Sequence, residues 1–236
     1  DKWTIFLHPA QREWVEKGYS GPARVSGSAG TGKTVVALHR AVHLARANPD
    51  GRILLATFSD TLAHALRIKL RRLISNTPML GERVEVHAMN AVGERLYELQ
   101  FGRPRLATMD EIRGLLDAAA AAHPEHRFSA SFLLSEWQDV VDGWQLDSWE
   151  SYRDVQRLGR KTRLPEARRA LLWSIYQAVR AELQQRGWTT HAGMFGRLAD
   201  ELPGRRHPPF DFAVIDEAQD INVAQLKFLE IGRAHV

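Results

Sequence analysis

Gly27-Ser28-Ala29-Gly30-Thr31-Gly32-Lys33-Thr34 is the stretch that decides how this chain is read. It fits the phosphate-loop pattern G-x-x-x-x-G-K-[ST]. Ala23-Arg24-Val25-Ser26 ahead of it reads as a short strand. Lys33 to Ala47 behind it reads as a helix, with Val36, Ala37, Ala41, Val42 and Leu44 apolar. Glycines between strand and helix let backbone N–H groups turn inward, forming a concave anion nest at a helix N-terminus. Gly27, Ser28, Ala29, Gly30, Thr31 and Gly32 build that nest, Lys33 reaches the β- and γ-phosphates, and the Thr34 hydroxyl ligates Mg²⁺. A bare Gly-rich turn ahead of a helix is the competing reading. The full eight-residue pattern in this context weighs against it.

A second segment supplies what the loop lacks. Phe212 to Ile215 reads as a buried strand, and Asp216-Glu217-Ala218-Gln219-Asp220 follows it. A carboxylate at the C-terminal end of a strand in an open parallel sheet lies where ligands bind. Asp216 can therefore hold Mg²⁺, as hard oxygen ligands do. Glu217 stands next to it, placed to orient or deprotonate an attacking water. A solvated acidic turn is the bland alternative for Asp-Glu alone; the pair of segments, in this order, describes a Mg-ATP site.

On these motifs the chain resembles the first motor domain of the UvrD/Rep-type helicases of superfamily 1, over nearly its whole length. Asp216 to Asp220 looks like that family's D-E-x-Q-D box. The resemblance implies that Gln219 senses the γ-phosphate and couples hydrolysis to nucleic-acid binding. Leu7-His8-Pro9-Ala10-Gln11-Arg12 resembles the L-N-x-x-Q-R element upstream of the loop, where the glutamine reads adenine. An amide can offer a donor and an acceptor to one base edge, so Gln11 is the expected adenine reader. Many relatives follow Lys-Thr with an arginine that packs on adenine. Val35 stands there instead, leaving Arg40, later on the same helix, as the nucleotide-binding candidate.

The segment Ile53 to Phe58, a strand followed by a basic helix from Leu62 to Leu70, is similar to the family's T-F-T-N-K segment. Thr57 and Phe58 match and are carried over as contacts to single-stranded nucleic acid, while Asp60 and Thr61 depart from the pattern. Stacking one base on an aromatic ring is worth about 1–3 kcal/mol, and core packing is the equal alternative for Phe58. Val84 to Asn90 keeps the strand of the family's T-F-H-S-F element but not its side chains.

Residues 1–100 alternate strand and helix, which implies right-handed crossovers and a parallel sheet. From about residue 105 strand signals vanish. Asp110–Ala121, Ala130–Val141, Glu166–Gln185 and Met194–Leu202 read as helices, the third announced by Pro165. The expected fold is thus α/β, a RecA-like P-loop NTPase sheet (1–104 and 206–230) with an inserted all-helical subdomain (105–205). The family's insert lies along its nucleic-acid track. Here it carries Arg153, Arg157, Arg160, Lys161, Arg163, Arg168 and Arg169, with Trp144, Trp149 and Trp173 nearby. Cations for phosphates and π-faces for bases are what a single-strand groove needs. Arg157, Arg160 and Lys161 are the preferred contacts; a solvated helix face over a small tryptophan core is the alternative. Trp137 and Trp188 are assigned to helix packing.

Composition excludes other classes. The chain has 236 residues, no cysteine and a formal net charge of +4. Disulfides and cysteine-ligated metals are ruled out, and the ten histidines show no metal-ligand spacing. No apolar run approaches the ~20 residues needed to cross a bilayer, and no secretory leader opens the chain, so a cytoplasmic location is expected. The modest basic charge is compatible with a polyanion partner. Residues 231–236 match what one reading frame of a common sequencing adapter would encode, and are expected to be a non-native tail.

The resemblance implies ATP and Mg²⁺ as cofactors, single-stranded DNA as partner, and a second motor domain of the same polypeptide carrying the remaining motifs. It implies 3′-to-5′ movement by analogy. Alone, the chain is expected to bind Mg-ATP weakly and to unwind nothing. An ATP-operated switch module, or an RNA substrate, is the alternative function.

Overall fold

The structure is a computed structural model and describes residues 5–156, 164–201 and 209–231. Two compact units divide the chain: 1–95 with 199–221 and 227–236, and 96–198 with 222–226.

The first unit is a parallel sheet covered by helices. In chain order it holds α1 (Pro9–Glu16), α2 (Lys33–Ala47), β1 (Ile53–Thr57), α3 (Asp60–Leu73) and β2 (Val84–Ala88). Helix α4 (Met89–Phe101) leads out of it, and β3 (Phe212–Ile215) returns to it. Strand order is β2-β1-β3, all parallel, with Ile53 opposite both Val84 and Phe212. β1 is central and buried along its whole length, which is why its sequence is an unbroken apolar run rather than an alternation. In α2, Leu38, Ala41, Val42 and Ala45 recur at helical spacing and pack onto Ile53, Leu55, Val86 and Val214. Edge strand β2 is tied to α3 by Arg67, whose Nε donates to the Val86 carbonyl at 2.9 Å.

The strand expected at Ala23–Ser26 is not assigned; among the described residues the sheet has only its three strands. Ala23 and Val25 are half-buried while Arg24 and Ser26 are exposed, so the alternation is present. What is missing is a paired ladder, and the backbone pattern of a strand exists only through its partner.

The second unit is helical: α5 (Met109–Ala121), α6 (Ala130–Glu136), α7 (Trp149–Asp154), α8 (Glu166–Gln185) and α9 (His191–Glu201), with α10 (Val223–Ile231) beginning in it. Thr108 and Glu111 form a reciprocal cap on α5. The helix that the sequence predicts over Ala130–Val141 keeps its α-helical form only to Glu136. It then widens into a π-helical turn over Trp137–Asp142, where Gly143 N donates to Gln138 O at 3.0 Å. A Cβ on Gly143 would sit 2.6 Å from that same carbonyl, so the wider turn requires glycine.

The core of this unit joins Ile112 and Leu116 of α5 to Leu172, Ile175 and Tyr176 of α8. Tyr152 stacks on Trp173 with ring centroids 5.4 Å apart and meets Tyr176 edge-on. Its hydroxyl donates to the buried Glu136 at 2.8 Å. Asp142 is buried too. Its Oδ1 accepts from Thr190 Oγ1 at 2.7 Å and from Gln145 Nε2 at 2.9 Å, and burial pushes its carboxyl up to about 6.

Candidate nucleotide site

The loop from Gly27 to Gly32 is closed by its own side chains. Gly30 and Gly32 lie at φ +80° and +84°, the left-handed region that glycine enters without strain. Gly32 caps α2, and its carbonyl accepts from Val35 N and Val36 N at 2.9 and 3.0 Å. The amides of Lys33 and Thr34, first in the helix, have no intrahelical acceptor by construction, so the loop ends in a donor-rich helix terminus. Thr31 Oγ1 donates to Ser28 O at 2.8 Å. Lys33 Nζ lies across the loop, donating to Gly27 O at 2.9 Å and Ser28 O at 3.0 Å. The ammonium therefore sits over the nest that a phosphate chain would occupy.

β3 brings the second segment to the first. Asp216 N continues the ladder with Ala56 O at 2.8 Å, and its Oδ2 accepts from Thr34 Oγ1 at 3.0 Å. Asp216 is only 8 % exposed. Burial raises its carboxyl above the ordinary range and the Thr34 hydrogen bond opposes this; the Glu217 charge raises it further, while the Glu217 backbone amide and the Lys69 charge lower it. A buried carboxylate beside a hydroxyl is a pair of hard oxygens in want of a cation. Among the described residues no group of three His, Cys, Asp or Glu surrounds a common point. Such a site suits Mg²⁺, which prefers one or two protein ligands and completes its shell with water and phosphate oxygens.

Glu217 has φ +63°, uncommon for a residue with a Cβ. The bend turns the chain out of the strand into a short 3₁₀ turn, Ala218–Asp220. Within it the Gln219 amide donates to the Glu217 carboxylate. Lys33, Thr34, Asp216, Glu217 and Gln219 thus come from two segments joined at Thr34 and Asp216.

Other expected residues are placed differently. Arg40 donates from Nη1 to Val15 O at 2.6 Å and to Lys17 O at 2.8 Å, and its guanidinium lies over the Tyr19 ring. These contacts hold the end of α1. Thr57 is wholly buried, and among the described residues its Oγ1 has no hydrogen-bond partner; Phe58 beside it is half-buried. Gln11 donates from Nε2 to the Thr31 carbonyl at 2.9 Å, and its Oε1 accepts the His8 N–H at 3.1 Å. Arg157, Arg160, Lys161 and Arg163 lie outside the described residues. Arg153 pairs with Asp154, and the buried Arg169 donates to the Arg153 carbonyl, so both serve the fold. Trp173 is core and Trp149 packs against it, whereas Trp144 is 40 % exposed. Lys69, whose charge reaches Asp216 from α3, was not picked out in the sequence; no motif spacing marks it.

With this geometry in place, comparison with family models matches residues 7–232 to the UvrD/REP helicase N-terminal domain. The chain belongs to that family, and its fold is the α/β, P-loop type such domains share. No curated protein matches it significantly. A helicase-family role follows, and with it a nucleic-acid substrate. Among the described residues no helix is long and apolar enough to cross a membrane.

Proposed function

We propose that the chain is the ATP-binding part of an ATP-dependent DNA helicase or translocase that acts on single-stranded DNA. The observation that carries this is the 3.0 Å hydrogen bond from Thr34 to Asp216, which unites two motifs 182 positions apart in one site. Bound Mg²⁺ would supply charge neutralisation on the β- and γ-phosphates. Thr34 Oγ1 and Asp216 would hold it, and the main-chain amides at the start of α2 would take phosphate oxygens. Lys33 Nζ would exchange the Gly27 and Ser28 carbonyls for the β- and γ-phosphates. Glu217 would orient the attacking water and accept its proton. Gln219, bonded to Glu217, would transmit the state of the γ-phosphate to the bound strand.

Movement needs a second domain that closes on the nucleotide; the proposal includes such a domain on the same polypeptide and 3′-to-5′ movement, by analogy with the family. Phe58 and the basic positions Arg157, Arg160 and Lys161 are the proposed strand contacts. The domain division proposed is 1–104 with 206–230 for the motor and 105–205 for the insert. Measurement of Mg-ATP binding and single-turnover hydrolysis, with and without single-stranded DNA, tests the reading. Lys33→Ala should abolish binding; Glu217→Gln should bind and not hydrolyse. Hydrolysis by wild type that is indifferent to DNA and to RNA would instead mark an ATP-operated switch.

A further inference from the structure

Thr57 ends the central strand with a polar atom that the fold does not satisfy. It is wholly buried, and among the described residues its Oγ1 has no hydrogen-bond partner. Burial without a partner costs a hydroxyl its hydrogen bond to water and returns nothing. Valine would fill the same space in a buried strand without that cost. The hydroxyl therefore points to a ligand from outside the fold.

The register shows which polar groups it faces. Ile53, Leu55 and Thr57 alternate onto one face of β1, and Ile53 and Leu55 lie there in one core cluster with α2. On the neighbouring strand Val214, opposite Leu55, shares that face. Asp216 comes two residues later and stands beside Thr57, its amide carrying the ladder to Ala56 O at 2.8 Å. Neighbouring strands run about 4.8 Å apart, so the two side chains are neighbours on the α2 side. There Thr34 Oγ1 donates to Asp216 Oδ2 at 3.0 Å. On its other flank Thr57 pairs with Ala88, which offers no polar side-chain atom. No hydrogen bond joins Thr57 to Asp216 directly, and a gap of this kind between polar groups is one that a water spans.

We infer that Thr57 is a positioning residue of the metal site, its hydroxyl holding a Mg²⁺-bound water beside Asp216. This rests on the nucleotide-site reading above. Mg²⁺ keeps several waters when only one or two protein groups bind it, and outer partners of this sort fix a metal's ligands in place. A hydroxyl oxygen can accept from such a water.

Calorimetric titration of the full chain with ATP, once with Mg²⁺ and once with EDTA, tests this on wild type, Thr57→Val and Thr57→Ser. Thermal melts without nucleotide accompany it. Thr57→Val should weaken Mg-ATP binding about three- to tenfold, the loss of one hydrogen bond, and leave metal-free ATP binding as in wild type. Thr57→Ser keeps the hydroxyl, so its ratio of affinities with and without Mg²⁺ should match wild type. Without nucleotide, Thr57→Val should melt at or above the wild-type temperature, because a methyl replaces an unpaired buried hydroxyl. A lower melting temperature would show that the fold itself pairs the hydroxyl, and would overturn the proposal. So would Mg-ATP binding equal to wild type in Thr57→Val, or a loss of the same size with and without Mg²⁺. Weaker binding of labelled single-stranded DNA by Thr57→Val, at unchanged Mg-ATP affinity, would assign the hydroxyl to the strand instead. Wild type that binds ATP under neither condition would remove the nucleotide-site reading and the role of Thr57 with it.

Discussion

Glu217 and Gly32 show backbone strain handled in two ways. Glu217 occupies the left-handed region with a side chain attached, at a cost of about 1–2 kcal/mol. Such strain persists where the surrounding structure overdetermines it, most often at functional sites. Glu217→Gly relieves it but makes the unfolded chain more flexible, which returns about 0.5–1 kcal/mol. The expected net effect is a melting temperature higher by about 2–3 °C, read by circular dichroism; a fall would show that Glu217 is unstrained. Gly32→Ala runs the other way. It places a Cβ at φ +84° and against Gln11, so stability should drop by about 1–3 kcal/mol, with loss of Mg-ATP binding. Mg-ATP affinity equal to wild type would refute the nest.

At the scale of elements, helix ends and one buried carboxyl carry the testable consequences. The C-terminus of α2 is capped from a distance: Arg83 Nη1 donates to the carbonyls of Ala45, Asn48 and Pro49 at 2.7 to 2.9 Å. Arg83→Ala leaves these acceptors to water and should cost about 1–3 kcal/mol in a denaturant melt; an unchanged midpoint would show that the cap is dispensable. Asp142 titrates near 6 in the folded chain and near 3.8 otherwise. The folded state therefore holds the proton longer, and the stability Asp142 contributes is full below pH ~4 and lost as pH rises to about 6. Arg180 and His191 face the same carboxyl and moderate the shift. Asp142→Asn keeps an Oδ1 for Thr190 and Gln145, so it should flatten the stability profile between those pH values. A slope identical to wild type in urea melts would refute the assignment.

At the scale of the whole molecule, a net charge of +4 and a basic insert bear on nucleic-acid binding. Counterion release makes single-strand affinity fall with salt, by a slope of about 0.7 per phosphate contact. Replacing Arg157, Arg160 and Lys161 together with alanine should reduce that slope by about 2, measured by fluorescence anisotropy of labelled single-stranded DNA. A slope that does not change would place the strand elsewhere.

Much of the fold was legible along the chain because its signals are local. Lys33–Ala47 and Glu166–Gln185 could be read to the residue from apolar spacing and a preceding Gly or Pro. β1 and β3 declared themselves as apolar runs, as strands buried on both faces must. The P-loop residues and the Asp-Glu pair were legible too, because spacing alone makes the nest and the carboxylate. What spacing could not decide was where a side chain's hydrogen bonds go. Gln11 on α1 meets the Thr31 carbonyl of the loop, and Arg40 on α2 meets the Val15 and Lys17 carbonyls at the end of α1, each twenty or more positions away in sequence. Thr57 is buried because β1 is the central strand, a property of neighbours rather than of its own segment. The sequence by itself determined the elements, the phosphate loop and the family. Only the tertiary structure decided which polar atoms were already satisfied, since a buried donor or acceptor takes its partner from whatever the fold places beside it.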